Sequence, residues 1–246
     1  ASGTPAYQAG FRKCFKVTNG NQTSGADAGD HIQIDYYIEA QDLANSGWDY
    51  TSNSSYVTLS FWMKSSVAQA FPATFQTQDG TQQVYNMTTG NLSANTWTKV
   101  SKTIPGDSNL QFDNDANRGC RLMFFPHIGT TYTTTGLAMD TWSAWANDKH
   151  SFDMATTWWT TNDATWEITG LQFEVGNTAS DYPHESYGEN LARCQRYFHS
   201  VSQAVWNNQI YQNHYHPTTM RANPTITSTS TGPNQSKKSN WYGKRS

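Results

Sequence analysis

The chain has 246 residues, 36% of them apolar, 14% charged and 14% aromatic, with a formal net charge of −3. An average soluble domain runs at about 45–50% apolar and 25% charged, so the apolar mass is concentrated here in large rings, and disorder is excluded for most of the chain. The charge balance lacks the basic field that phosphate binding requires, which excludes nucleic acid, and no apolar run reaches the roughly 18–20 residues of a membrane span, which excludes membrane insertion through a helix.

The opening Ala1-Ser2-Gly3-Thr4-Pro5-Ala6 has neither the basic nor the apolar region of a secretory leader. A length near 250 residues allows one large β-sandwich or two small domains, and the periodicity favours the first. After a first strand over 11–17, Ile32, Ile34, Tyr36 and Ile38 fall on one face of an extended segment, with Gln33 and Asp35 on the other. Val57, Leu59, Phe61 and Met63 repeat the pattern, with Thr58, Ser60, Trp62 and Lys64 outward. Further strands are predicted over 73–77, 83–87, 97–104, 121–125 and 166–175, separated by segments rich in Gly, Asn, Asp, Ser and Pro. This spacing predicts an all-β fold, an antiparallel β-sandwich of the jelly-roll type. In the last strand the apolar phase changes between Ile168 and Leu171, with Gly170 at the change; a β-bulge there would put Ile168, Leu171 and Phe173 in one core.

One short helix is predicted over 187–198. Ser186 and Glu189 have capping-box spacing, and Leu191, Cys194 and Phe198 recur on one face, which suits a plug at one end of the sandwich. The jelly roll is thus assigned to 1–198, with an aromatic-rich insertion over 129–162. Residues 199–246 form a polar C-terminal extension, with a strand over 226–229, suited to packing on neighbouring subunits or leading to further sequence. Both ends are abrupt, which reads as part of a longer protein.

Cys14, Cys120 and Cys194 lie far apart, cannot all pair, and lack the CxxC spacing of zinc or redox sites. They read as small buried hydrophobes of a protein made in a reducing compartment. Asn21, Asn53, Asn86, Asn91 and Asn234 open glycosylation sequons, but a chain this rich in Asn, Ser and Thr produces that many by chance.

No nucleophile elbow, zinc-protease helix, phosphate loop or dinucleotide fingerprint is present, so no catalytic residues are assigned. Gly106-Asp107-Ser108 is better explained as a turn than as an esterase nucleophile block. Asp107, Asp113 and Asp115 gather hard oxygen donors in one loop, the donor type of a structural Ca²⁺ site, but not with the spacing of a calcium loop, and the same residues make ordinary turns. His214 and His216 share one side of an extended segment, where a threefold axis would collect six imidazoles around a transition metal; polar surface is the simpler account.

The most informative feature lies between residues 132 and 166. Tyr132, Trp142, Trp145, Phe152, Trp158, Trp159 and Trp166 are spaced by Thr, Ser, Asn and Asp instead of aliphatic residues. Sugar C–H faces stack on such rings while neighbouring polar groups bond the hydroxyls. Tyr132, Trp142, Trp145, Trp158 and Trp159 are therefore the candidate carbohydrate-binding residues, and Trp166, which opens a core strand, is assigned to the interior. The alternative is that these rings fill the insertion or meet another subunit. In an extended segment Trp158 and Trp159 would point to opposite faces, leaving at least one on a surface.

Four stretches carry a resemblance: Val57 to Ser66, Asn95 to Lys99, Thr103 to Asp107 and Ile168 to Gly176. With Tyr187-Gly188-Glu189-Asn190-Leu191-Ala192-Arg193-Cys194-Gln195-Arg196-Tyr197-Phe198 and Thr219-Met220-Arg221-Ala222-Asn223-Pro224-Thr225, they resemble a bacteriophage virion family of fibre and tail-associated proteins over residues 10–230. The resemblance implies a jelly roll similar to carbohydrate-binding modules, on the virion surface after assembly in the host bacterial cytoplasm. It implies other virion proteins as partners, a homo-oligomer that is commonly a trimer, and no catalytic residues or cofactor. The insertion over 129–162 matches no fixed motif of that family.

Three functions are compatible with these features. The first is a non-enzymatic tail-fibre or appendage protein binding a host-surface glycan. The second is an architectural capsid-decoration, head-fibre or collar subunit. The third, a secreted carbohydrate-binding module or glycosidase, needs an export route, and as an enzyme a carboxylate pair, for which no motif is present.

Overall fold

A computed structural model describes residues 2–21, 24–200, 217–222 and 225. The chain divides into two compact units, Ala1–Tyr182 and Pro183–Ser246. The strands expected up to residue 175 all form, most of them longer than their apolar cores, although the first begins at Phe15 and not at residue 11: β1 (Phe15–Thr18), β2 (His31–Glu39), β3 (Tyr56–Ser65), β4 (Ala70–Thr77), β5 (Gln83–Asn91), β6 (Thr98–Pro105) and β7 (Arg118–Ile128). A short β8 (Trp142–Ala144) and a long β9 (Thr165–Val175) complete the first unit, with one-turn helices α1 (Pro5–Gln8), α2 (Ala40–Ala44) and α3 (Thr157–Thr160).

Two antiparallel sheets result, with strand orders β1-β9-β3-β6 and β2-β7-β4-β5-β8. Leaving aside β8, successive strands alternate between the sheets except for the β4–β5 hairpin, and this is the jelly-roll winding. The core lies between the sheets because alternate residues of each strand face inward. Val57, Leu59, Phe61 and Met63 of β3 pack with Phe71 and Phe75 of β4, Leu122 and Phe124 of β7, and Trp166 of β9. The Phe61 and Phe124 rings meet edge to face at 5.3 Å, a favoured aromatic geometry.

The bulge expected in the last strand is present. Pairing between β3 and β9 shifts register between Ser60 and Trp62, and Gly170 takes φ +62°. A Cβ at that position would also strike the Phe11 ring. Beyond the bulge Leu171 and Phe173 pack against the same core as Ile168.

Several expectations need correction. Thr58 and Ser60 point away from the core yet are fully buried, because residues 176–182 fold back over that sheet. Thr58 Oγ1 donates to the Gly176 carbonyl at 2.8 Å, and Ser180 donates to both oxygens of Glu174. Tyr36, assigned to the core face, is 53% exposed, since β2 is an edge strand. Only Cys120 is buried; Cys14 and Cys194 are exposed free thiols.

In the second unit α4 (Tyr187–Gln195) carries the expected capping box, with Ser186 and Glu189 bonded reciprocally. It falls beyond the first unit, which ends at Tyr182 instead of reaching 198, and it stops three residues before Phe198. None of its residues is buried. His214, His216 and the strand predicted over 226–229 lie outside the described residues.

Candidate ligand-binding face

Residues 129–162 leave the end of β7 and fold back over the outer face of the five-stranded sheet. Below them the inward and outward residues of β7 diverge: Leu122 and Phe124 enter the main core, while Met123, Phe125 and Ile128 form a second cluster packed by Tyr132 and Met154 of the excursion. The excursion is therefore built on a small core of its own, which explains how a segment poor in aliphatic residues stays ordered.

Its polar residues complete the fold. Asp153 accepts from the hydroxyls of Thr133 and Thr135, and these bonds hold its carboxyl below the usual range. Thr74 Oγ1 of β4 donates to the His150 carbonyl at 2.7 Å, and the Trp145 backbone N–H donates to the Gln82 carbonyl at 2.9 Å. Asn19, just beyond β1, donates through Nδ2 to the carbonyls of Trp158, Trp159 and Thr161. One side chain thus satisfies several acceptors at the frayed end of α3.

The candidate rings have different fates. Trp158 is completely buried and its backbone N–H donates to Gln69 Oε1 at 3.0 Å, so it has no face for a sugar and is removed from the candidate set. The expected extended geometry of Trp158 and Trp159 is replaced by the helical turn α3. Trp159 is half-buried, with its ring tilted over His127 at 4.7 Å. Trp142 is half-buried in β8, wedged edge-on against Phe75 and Tyr85, and its Nε1 donates to the Pro105 carbonyl at 2.7 Å. Tyr132 and Trp145 are half-buried and meet His150 from two sides, at 5.7 and 5.9 Å. Trp166 is buried as expected.

Asp107, Asp113 and Asp115 do not converge. Asp107 bonds the N–H and the amide of Asn109, Asp115 does the same for Asn117, and Asp113 accepts from Gln111. Asp107 and Asp115 each close a local Asx-type turn, and among the described residues no group of three or more His, Cys, Asp or Glu side chains could hold a metal. Gly106-Asp107-Ser108 is part of a turn, with the Leu110 N–H donating to the Asp107 carbonyl.

Strand register reveals a constellation that residue spacing does not. Tyr37 of β2 pairs with Arg121 of β7, Arg121 with Gln76 of β4, Gln76 with Val84 of β5, and Val84 with Ser143 of β8. These residues form one row across the outer face. Tyr37 Oη and Gln33 Nε2 both donate to Asp35, at 3.0 and 2.6 Å. Arg121 pairs with Asp35 at 3.6 Å and donates through Nε to Gln76 Oε1 at 2.6 Å, and Gln76 donates to Gln82 at 2.9 Å. The signal missed was the outward set Gln33, Asp35 and Tyr37; connecting it to Arg121 and Gln76 requires knowing which strands are neighbours.

The chain matches no known protein family, and neither the curated proteins nor the solved structures contain a match to it.

Proposed function

We propose that this chain is a non-enzymatic surface subunit of a bacteriophage particle, of tail-fibre or appendage type, whose jelly roll contacts a host-surface glycan. The observation that carries the reading is the outer face of the five-stranded sheet, where half-buried Trp159 lies over His127, half-buried Tyr132 and Trp145 meet His150, and the same face carries a fixed row of amide, carboxylate and guanidinium groups. Apolar ring faces next to oriented polar groups are what a saccharide requires. The sequence resemblance supports the virion location: two of its segments become β3 and β9 of the core, and the two parts of the tail motif are joined, since Arg196 donates to the Thr219 carbonyl and accepts from the Arg221 N–H. On this reading the chain works as a homo-oligomer, a trimer, among other virion proteins.

An architectural role as a decoration, head-fibre or collar subunit is favoured by a different observation: no ring of the excursion is among the exposed large hydrophobics. A glycan array read with the intact protein separates the two. Adhesion is supported by binding that Trp159→Ala and Trp145→Ala weaken in folded protein, with a parallel loss of adsorption to host cells. Adsorption unchanged in both variants rejects it and leaves the architectural role.

A further inference from the structure

The geometry points to a specific saccharide site at the seam where the excursion meets β2, with Asp35, Arg121 and Gln76 as its floor and Gln33, Tyr37 and Gln82 at its margin, selective for a neutral, hydroxyl-rich glycan. This inference rests on the glycan-binding reading above and locates the ligand within it.

The ladder bonds of the sheet hold β2, β7 and β4 together without these side chains, so a bonded chain across the outer face is not needed for pairing. It is neither fully solvated nor sealed: Asp35 and Arg121 keep 21% and 17% of their side-chain surface, whereas Gln76 beneath them is 1% exposed. The groups are held rigidly, each by a neighbour on another strand or two residues away. Valences remain unfilled at the open edge. Among the described residues Gln33 Oε1, Gln82 Nε2 and Arg121 Nη2 have no protein partner. The indole N–H of Trp145, which is anchored to Gln82 through its backbone, is buried without an acceptor.

Ligand class follows from donor and acceptor chemistry. A carboxylate only accepts, a guanidinium only donates and an amide does both. A hydroxyl also does both, so adjacent hydroxyls can bridge Asp35 and Arg121 while a ring face lies on Trp145. Because the two charges already compensate each other, a neutral sugar leaves the pair intact, whereas a carboxylate-bearing sugar competes with Asp35 for Arg121. The row from β2 to β4 spans about 10 Å at the usual strand spacing, which sets a short oligosaccharide, lying across the strands, as the recognised unit.

The test uses the full chain, titrated with glucan, mannan and galactan oligosaccharides and with uronate-bearing counterparts. Expected are binding of at least one neutral member, weaker binding of the uronates, and a loss of about tenfold or more in Asp35→Asn and Gln82→Ala. Gln82→Ala removes only a margin group, so it serves where Asp35→Asn lowers the unfolding midpoint. Wild-type affinity in both folded variants overturns the seam and leaves the glycan reading standing on another face. Tighter binding of the uronates overturns the ligand class, and binding of no member of either series overturns both the seam and the glycan reading.

Discussion

His127 is 1% exposed and neither ring nitrogen has a hydrogen-bond partner. Burial lowers its pKa, with Asp30 opposing and His31 adding to the effect. His150, 8% exposed, is also lowered, first by burial; its bond to the Asn147 carbonyl and the Asp35 charge act upward, and Arg121 and His31 act downward. Both imidazoles are therefore neutral in the folded protein at pH values where the unfolded chain, with an ordinary His pKa of about 6.5, already takes up protons. The unfolded state binds more protons in that window, so stability is complete above about pH 6.5 and falls as pH drops towards the depressed folded values. Urea midpoints should be flat from pH 8 to 7 and decline towards pH 5, with a shallower decline in His127→Phe; an unchanged slope would show that His127 is not responsible. The thiols offer a second check at this scale. Burial and the neighbouring Glu167 raise the Cys14 pKa, and burial raises that of Cys120 well above the ordinary value. A thiol reagent at pH 7.5 should label Cys194, label Cys14 more slowly than a free thiol, and reach Cys120 only on unfolding.

The elements differ in how they are specified, and this decides which were readable in advance. β3 and β9 carry period-two patterns whose burial depends only on which face meets the core, so both strands and the bulge at Gly170 follow from residue order. The turn α3 does not. It exists because Asn19 gathers the carbonyls of Trp158, Trp159 and Thr161, a contact between residues about 140 positions apart, and it reverses the expected exposure of Trp158. Asn19→Ala leaves those carbonyls without their donor in a largely buried place, at a cost of about 1–3 kcal/mol. Equilibrium urea unfolding would register the loss, and amide exchange should accelerate first over 157–164. Exchange rising uniformly along the chain would show that the clamp acts on global stability and not on this element.

At the scale of the whole molecule the sandwich is covered on both outer faces, by 176–182 and the N-terminal segment on one sheet and by 129–162 on the other. That arrangement explains why so few rings face solvent although aromatics are abundant. It also explains why the polar row on the second sheet was not legible: Tyr37, Arg121 and Gln76 become neighbours only through the jelly-roll winding, which places β2, β7 and β4 side by side. By contrast the winding itself could be inferred from strand count and turn spacing. Among the described residues, all members of both hydrophobic clusters lie between Val17 and Phe173 and all nine strands end by Val175, whereas no residue of α4 is buried. Removal of residues 183–246 leaves all of these cluster residues in place. The shortened chain should unfold in one cooperative transition, with a midpoint within about 4–8 °C of the full chain, the shift that about 1 kcal/mol produces in a small domain. Loss of cooperative unfolding on truncation would mean that the second unit contributes to the stability of the sandwich through contacts other than core burial. Retention would make 1–182 the fragment on which the polar seam can be titrated free of the tail.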